Sequence, residues 1–307
     1  MLKTALKMTE KSKKILLLFD IDGTLINSKY SGNQQKRPSG LYLVKAAAQV
    51  FLGDASKYNE LDLSNVIMPG GTDGSIMLEV LYQNKIIQEE DRVEPREESL
   101  RSKVDYACNI ITPKLLRDDI KAGNFMAKKC PNVDMILEDL AKDQRFELGL
   151  LTGNYAVCAK LKLEAAGVDI TKFMYDPKKA NYDQESDKFT LNYDVDPRNL
   201  TDVSFRGSFG SDNFVRRKLP PVACQRYEEE IIQENPDNNS NNIKALIIGD
   251  TPKDVDCAAF NGLKSVGVCT GRYNVDDLKN CGGDIVLEDL SNIDEFKNQV
   301  LKLYGQL

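Results

Sequence analysis

Asp20 and Asp22 stand two residues apart where the apolar run KILLLFD (14–20) breaks into IDGT. At the end of a buried strand, acids at that spacing tend to emerge on one side, where their repulsion is costly unless a cation neutralises it. A Mg2+ ion suits them, because it takes hard oxygen ligands and leaves room for waters and a substrate phosphate. The plainer alternative is an acidic turn after a strand, with Gly23 and Thr24 letting the chain reverse. Composition narrows the chemistry from the other side. The 307 residues include 0 His, which excludes a Ser-His-Asp or Cys-His couple, histidine-ligated zinc and an imidazole base. Catalysis then falls to carboxylates, hydroxyls, amines or a cation held by oxygen.

The elements that would position these groups are readable from hydrophobic pattern. KILLLFD reads as a parallel strand buried on both faces, and FELGLLTGN (146–154), KALIIGD (244–250) and SVGVCTG (265–271) share its character. Between them lie helical stretches ending at Gly167 and Gly262, where a helix C-cap needs left-handed backbone. Strands alternating with helices predict an α/β fold, a Rossmann-like three-layer core around a parallel sheet, with its crevice at the carboxyl ends of the strands. From about 30 to 145 the pattern is mostly helical, as in LYLVKAAAQVFLG (41–53), SIMLEVLYQNKII (75–87) and VDMILEDLAKD (133–143). The expected organisation is therefore a core of residues 1–29 and 146–307 with a helical cap domain, 30–145, inserted after the first strand. Two polar stretches, 176–199 with a possible hairpin and the Glu/Asn-rich 227–242, read as surface excursions. Residues 1–14 read as a solvated tail.

The charge balance, 41 Lys+Arg against 47 Asp+Glu for a net −6, offers no basic stripe for nucleic acid or an anionic membrane. Seven cysteines scattered without a C-x-x-C pair argue against a disulfide framework or a zinc site. A cytoplasmic protein acting on a small molecule is the expectation, and oligomeric state leaves no signal.

FDIDGTL (19–25) resembles the first motif of the haloacid dehalogenase-like hydrolase superfamily. LLTGN (150–154) resembles its second and IIGDTPKD (247–254) its fourth, in order and on the predicted strand ends. The resemblance implies that Asp20 attacks phosphorus to form an aspartyl-phosphate and that Asp22 protonates the leaving oxygen and later takes a proton from water. It implies a Mg2+ held by Asp20, the backbone carbonyl of Asp22 and Asp250, with Thr152 and the N–H of Gly153 or Asn154 on the phosphoryl oxygens. Asn154 could equally cap the following helix. Asp250 ends an apolar strand where no cap is required. Asp254 reads either as the acid of a T-P-x-D helix start or as a partner of the metal or of the third-motif cation.

For that cation Lys160, Lys162, Arg216, Arg217 and Lys218 compete. FGSDNFVRRKLPPVA (209–223) resembles the F-G-S-D…R…L-P-P-x-A segment of phosphoglycolate-phosphatase-like members and aligns Arg216 on the arginine, with Asn213 and Arg217 departing from the usual His and Asn. Lys160 and Lys162 read as a solvated helix face. In the cap, GGTDGS (70–75) resembles a G-x-T-D element, and Thr72 or Asp73 there is either an ordinary N-cap or a contact to substrate when the cap closes. The implied activity is Mg2+-dependent hydrolysis of a small phosphorylated metabolite. Alternatives are a phosphomutase or phosphonate hydrolase of the same fold, or an inactive binding protein.

Overall fold

The structure, a computed structural model, describes residues 14–30, 38–174, 205–234 and 243–306. The expected tail, the excursion at 176–199 and the stretch 235–242 lie outside the described residues.

Strand β1 (Ile15–Phe19) is buried along its whole length. Its parallel neighbours are β4 (Phe146–Leu151) on one side and β6 (Lys244–Gly249) on the other. The six-stranded sheet runs β5 (Gly207–Ser208), β4, β1, β6, β7 (Lys264–Val268), β8 (Ile285–Leu287), with every pair parallel. The two-residue alternation of β1 divides the core. Ile15, Leu17 and Phe19 pack on one face with α5 (Val133–Lys142), α6 (Ala156–Ala165) and α10 (Ile293–Leu303). Leu16 and Leu18 pack on the other with α7 (Leu219–Glu234) and α8 (Pro252–Phe260). Each such leucine, 0% exposed, contributes about 1.5–3 kcal/mol over leaving it in water. Because β1 is central and the chain crosses to β4 and β6 on either side of it, the sheet places its switch point, and hence its crevice, at the end of β1. Among the described residues no helix is long and apolar enough to cross a membrane.

Chain leaves and re-enters this core through an antiparallel pair, β2 (Ile26–Tyr30) with β3 (Phe125–Lys129). Neither INSKY nor FMAKK carries the apolar run by which the other strands announce themselves. Beyond the pair lie α1 (Pro38–Phe51), α2 (Asp73–Gln83), α3 (Glu98–Tyr106), a π-helical turn at Ala107–Ile111 and α4 (Thr112–Lys121). The apolar faces of α1, α2 and α3 and the π-helical turn form a second cluster around Val44, Ala47, Met77, Leu81 and Cys108, into which the core inserts Tyr155 and Phe214, while Leu116 of α4 packs with Tyr42, Phe125 and Cys158.

Packing corrects two boundaries expected from sequence. Helix α5 lies within the expected span of the cap, 30–145, but Val133, Ile136, Leu137 and Leu140 join the cluster of β1 and β4, so α5 packs as a core helix. Residues 227–234, expected in a surface excursion, are the last turns of α7, and Tyr227 is buried under the sheet. A Glu-rich outer face disguised the helix.

Candidate active site

Three strand ends converge at the crevice. Asp20 continues the β1 ladder by donating its N–H to the Ile248 carbonyl at 2.8 Å. Asp250 follows β6 and Thr152 follows β4, and all three are buried. The turn after Asp20 depends on Gly23, at φ +91°, whose missing Cβ would stand 2.3 Å from Asp250 Oδ2. Glycine there serves both the left-handed backbone and the approach of the second acid.

Ligand atoms of Asp20, Asp250 and Asp254 lie within 4.8 Å of one another. Arg216, 9% exposed, threads between them. Its Nη2 donates to Asp20 Oδ1 at 3.1 Å and to Asp254 Oδ1, and its Nη1 reaches the Gly70 carbonyl of the cap at 3.4 Å. Burial opposes charge on this guanidinium, but Asp254 and Asp20 outweigh it and hold it protonated. Arg217 instead pairs with Asp256 at the surface, and Lys218 with Glu94. Of the cations at 216–218, therefore, Arg216 is the one turned inward. Asp254 satisfies both readings of its position: Oδ2 accepts from Thr251 N (3.1 Å) and Oγ1 (2.7 Å) at the start of α8, while Oδ1 holds Arg216.

The carboxylates remain overcrowded. Burial pushes Asp20 up to about 7, with Arg216 lowering it and Asp254 and Asp22 raising it. Burial, then Asp20 and Asp254, push Asp250 up to about 9. Asp250 Oδ1 is buried with no hydrogen-bond partner among the described residues. A set of oxygen donors with excess negative charge and an orphaned acceptor fits a small hard cation. Asp254 has both oxygens engaged, so Asp20 and Asp250 are the side chains open to one.

Asp22 turns the other way. Its Oδ2 accepts from Asn154 Nδ2 at 2.8 Å and from Lys162 Nζ at 2.7 Å. Asn154 Nδ2 also donates to Thr152 Oγ1 at 2.8 Å, and its Oδ1 accepts from Lys162 at 2.6 Å. Asn154 therefore caps nothing: the N-cap of α6 is Tyr155. Its backbone N–H is committed to Thr152 Oγ1 at 3.2 Å, which leaves the Gly153 N–H as the backbone donor to consider for a ligand. Lys162, expected on a solvated face, is 5% exposed. The correction has a simple cause: residues 160 and 162 are about 200° apart around a helix, so the two lysines cannot share a face. Lys160 turns toward Glu164, and Lys162, between Ala159 and Leu163, points into the crevice. That two-residue spacing was the available signal. Burial opposes its charge, but Asp22 and Asp73 outweigh it and raise its pKa.

The cap meets this crevice at the start of α2. Thr72 is the N-cap: its Oγ1 accepts from Ser75 N at 3.0 Å and donates to the Phe214 carbonyl at 2.6 Å. With its hydroxyl spent on these two bonds, Thr72 takes the N-cap reading of the two that the sequence left open. Asp73 does line the crevice and ties cap to core, donating its N–H to the Gly153 carbonyl at 2.7 Å and accepting from Tyr155 N at 3.0 Å. Burial pushes Asp73 up to about 6, against the lowering effects of Lys162 and the Tyr155 N–H. A Cβ on Gly153 would stand 2.0 Å from the Gly71 carbonyl oxygen, so the seating of the cap requires glycine there.

Cap and strand ends together enclose about 730 Å3, the size of a pocket for a small metabolite. Asp20, Asp22, Asp250, Thr152, Lys162 and Arg216 line it from the core, with Arg272, and Leu43 and the segment 64–71 line it from the cap.

Residues 215–293 match the family model described as HAD-hydrolase-like. No curated protein sequence matches the chain. Among solved structures, a hydrolase from Pseudomonas syringae is 18% identical, covers 94% of this chain and 99% of its own, and superposes with a TM-score of 0.52. A phosphonoacetaldehyde hydrolase-like protein from Oleispira antarctica is 14% identical, with 95% and 93% covered and a TM-score of 0.50. A predicted phosphatase from Clostridium acetobutylicum is 20% identical, with 95% and 100% covered and a TM-score of 0.46. At these identities the likeness to the first two is one of fold.

Proposed function

We propose that this chain, whose residues 215–293 match the HAD-hydrolase-like model, is a haloacid dehalogenase-like enzyme that hydrolyses a small phosphomonoester through an aspartyl-phosphate on Asp20. The observation that carries the reading is the pairing of a buried carboxylate, Asp20, with a buried guanidinium, Arg216, at 3.1 Å in the pocket between cap and strand ends. A nucleophile for phosphorus and a cation for the phosphoryl charge are the two parts this chemistry needs.

Asp20, Asp250 and the backbone carbonyl of Asp22 would hold a Mg2+ ion, which would neutralise charge on the transferring group. The chain's own residues do the rest. Arg216, Thr152 Oγ1 and the Gly153 N–H bind the phosphoryl oxygens. The Asp20 carboxylate attacks phosphorus, the bond to the ester oxygen breaks, and that oxygen takes a proton from Asp22. Water then attacks the aspartyl-phosphate and gives its proton back to Asp22, releasing phosphate and restoring Asp20. Asp254 keeps Arg216 in place, and the cap excludes bulk water. Among the described residues no cap lysine lines the pocket to serve as the amine of a Schiff-base phosphonate hydrolase.

Phosphate release from a panel of phosphomonoesters, with Mg2+ and with EDTA, tests the reading. The panel begins with phosphoglycolate, on the resemblance of residues 209–223. Release that needs Mg2+ is expected, and a silent panel overturns the proposal. Activity appearing only with a bisphosphate activator would mark a mutase. A second expectation concerns cap seating. Gly153→Ala forces the new methyl against the Gly71 carbonyl, so kcat/KM should fall about 10- to 100-fold with an unchanged circular dichroism spectrum; undiminished activity would mean that the cap is free to shift.

A further inference from the structure

We propose that Lys162 is the positioning residue for Asp22: it fixes the carboxylate in the orientation from which the leaving oxygen is protonated. The inference rests on the phosphatase reading, but its grounds are separate. Lys162 projects from α6, 140 residues along the chain from Asp22, and its side chain is 6% exposed. An ammonium group can only donate. The Asn154 oxygen at 2.6 Å must therefore be its carbonyl-type Oδ1, which obliges Nδ2 to face Asp22 Oδ2 and Thr152 Oγ1, both at 2.8 Å. Lys162 thus acts on Asp22 twice, directly at 2.7 Å and through the Asn154 amide, whose oxygen it anchors. Without it, Asp22 Oδ2 loses one of its two donors outright, and Asn154, which supplies the other, loses the partner that anchors its oxygen. Asp22 Oδ1 has no hydrogen-bond partner among the described residues, so nothing on that side of the carboxylate replaces the restraint. Arg216 already stands between Asp20 and Asp254, which leaves the orientation of Asp22, rather than the charge on Asp20, as the task for Lys162.

An alkyl ester needs a proton on its leaving oxygen, whereas p-nitrophenyl phosphate expels a phenolate that leaves without one. For both, kcat/KM reads only the steps through transfer to Asp20. Lys162→Met should therefore lower kcat/KM by about 100-fold for the alkyl phosphate that the protein hydrolyses fastest, and by less than about threefold for p-nitrophenyl phosphate. Lys162→Arg should recover part of the alkyl activity. Should Lys162→Met fail to fold, as judged by its melting curve, Lys162→Gln is read in the same way. An equal loss on both esters would overturn the proposal and make Lys162 a phosphate-binding or purely structural cation, and no loss on either would overturn it as well. A wild-type protein active on neither ester would instead overturn the phosphatase reading, and this inference with it.

Discussion

Asp20→Asn should release no measurable phosphate from any ester that the native protein hydrolyses, a loss of at least about four orders of magnitude. The amide matches the carboxylate in shape and can still accept from Arg216, so the pocket is preserved while the nucleophile is removed. The fold offers an internal control. Burial pushes Asp20 up to about 7, so at pH 8 without metal the native protein bears the cost of a buried charge that the variant lacks. Asp20→Asn should consequently melt at the same temperature or higher in EDTA while being inactive in Mg2+. Acid-quenched native protein, incubated with labelled ester, should carry one acyl-phosphate that hydroxylamine removes, and the variant none. Residual activity above about one per cent would show that another group attacks phosphorus.

Removing the cation should expose the acids to pH. Asp20 titrates near 7 and Asp250 near 9 in the fold, against about 4 in an unfolded chain. Between those values the folded protein binds more protons than the unfolded one, so stability is greatest below about pH 4 for these groups and falls as pH rises toward 9. Asp73, pushed up to about 6, acts in the same direction over the lower part of that window. A Mg2+ ion needs the deprotonated oxygens and binds only the folded arrangement, so it should restore most of the loss. With each pH unit of displacement worth about 1.4 kcal/mol, the gap in Tm between Mg2+ and EDTA should be small at pH 5 and on the order of 10 °C at pH 8.5. Asp20→Asn should flatten the EDTA curve. A Tm in EDTA that stays level or climbs over this range would show that the cluster is not strained by its charge.

Local pattern placed the acids at strand ends, and the resemblance of their motifs, not the pattern, gave them roles. Asp20 and Asp250 each end a run that is apolar on both faces, and a buried parallel strand leaves that mark on consecutive residues whatever else the chain does. Arg216 was separable from Arg217 and Lys218 only through a resemblance over 209–223, since three adjacent cations look alike until one is turned inward. Strands β2 and β3 left no such mark, being half exposed and polar, and α5 looked like its neighbours in the cap because an amphipathic helix carries the same period on either partner.

What local chemistry could determine about this chain was which residues carry acids, hydroxyls and cations at strand ends. What tertiary structure alone decided was their company. Lys162 and Asp22 are 140 residues apart, Asp73 and Tyr155 are 82 apart, and Thr72 spends its hydroxyl on a carbonyl 142 residues away. Periodicity tells which face of a helix is apolar, but not which buried charge waits opposite it. A lysine on α6 is a solvated residue or the partner of an acid according to the rotation of one helix against a sheet, and that rotation is set by the packing of Ala159 and Leu163 against the core, not by the lysine.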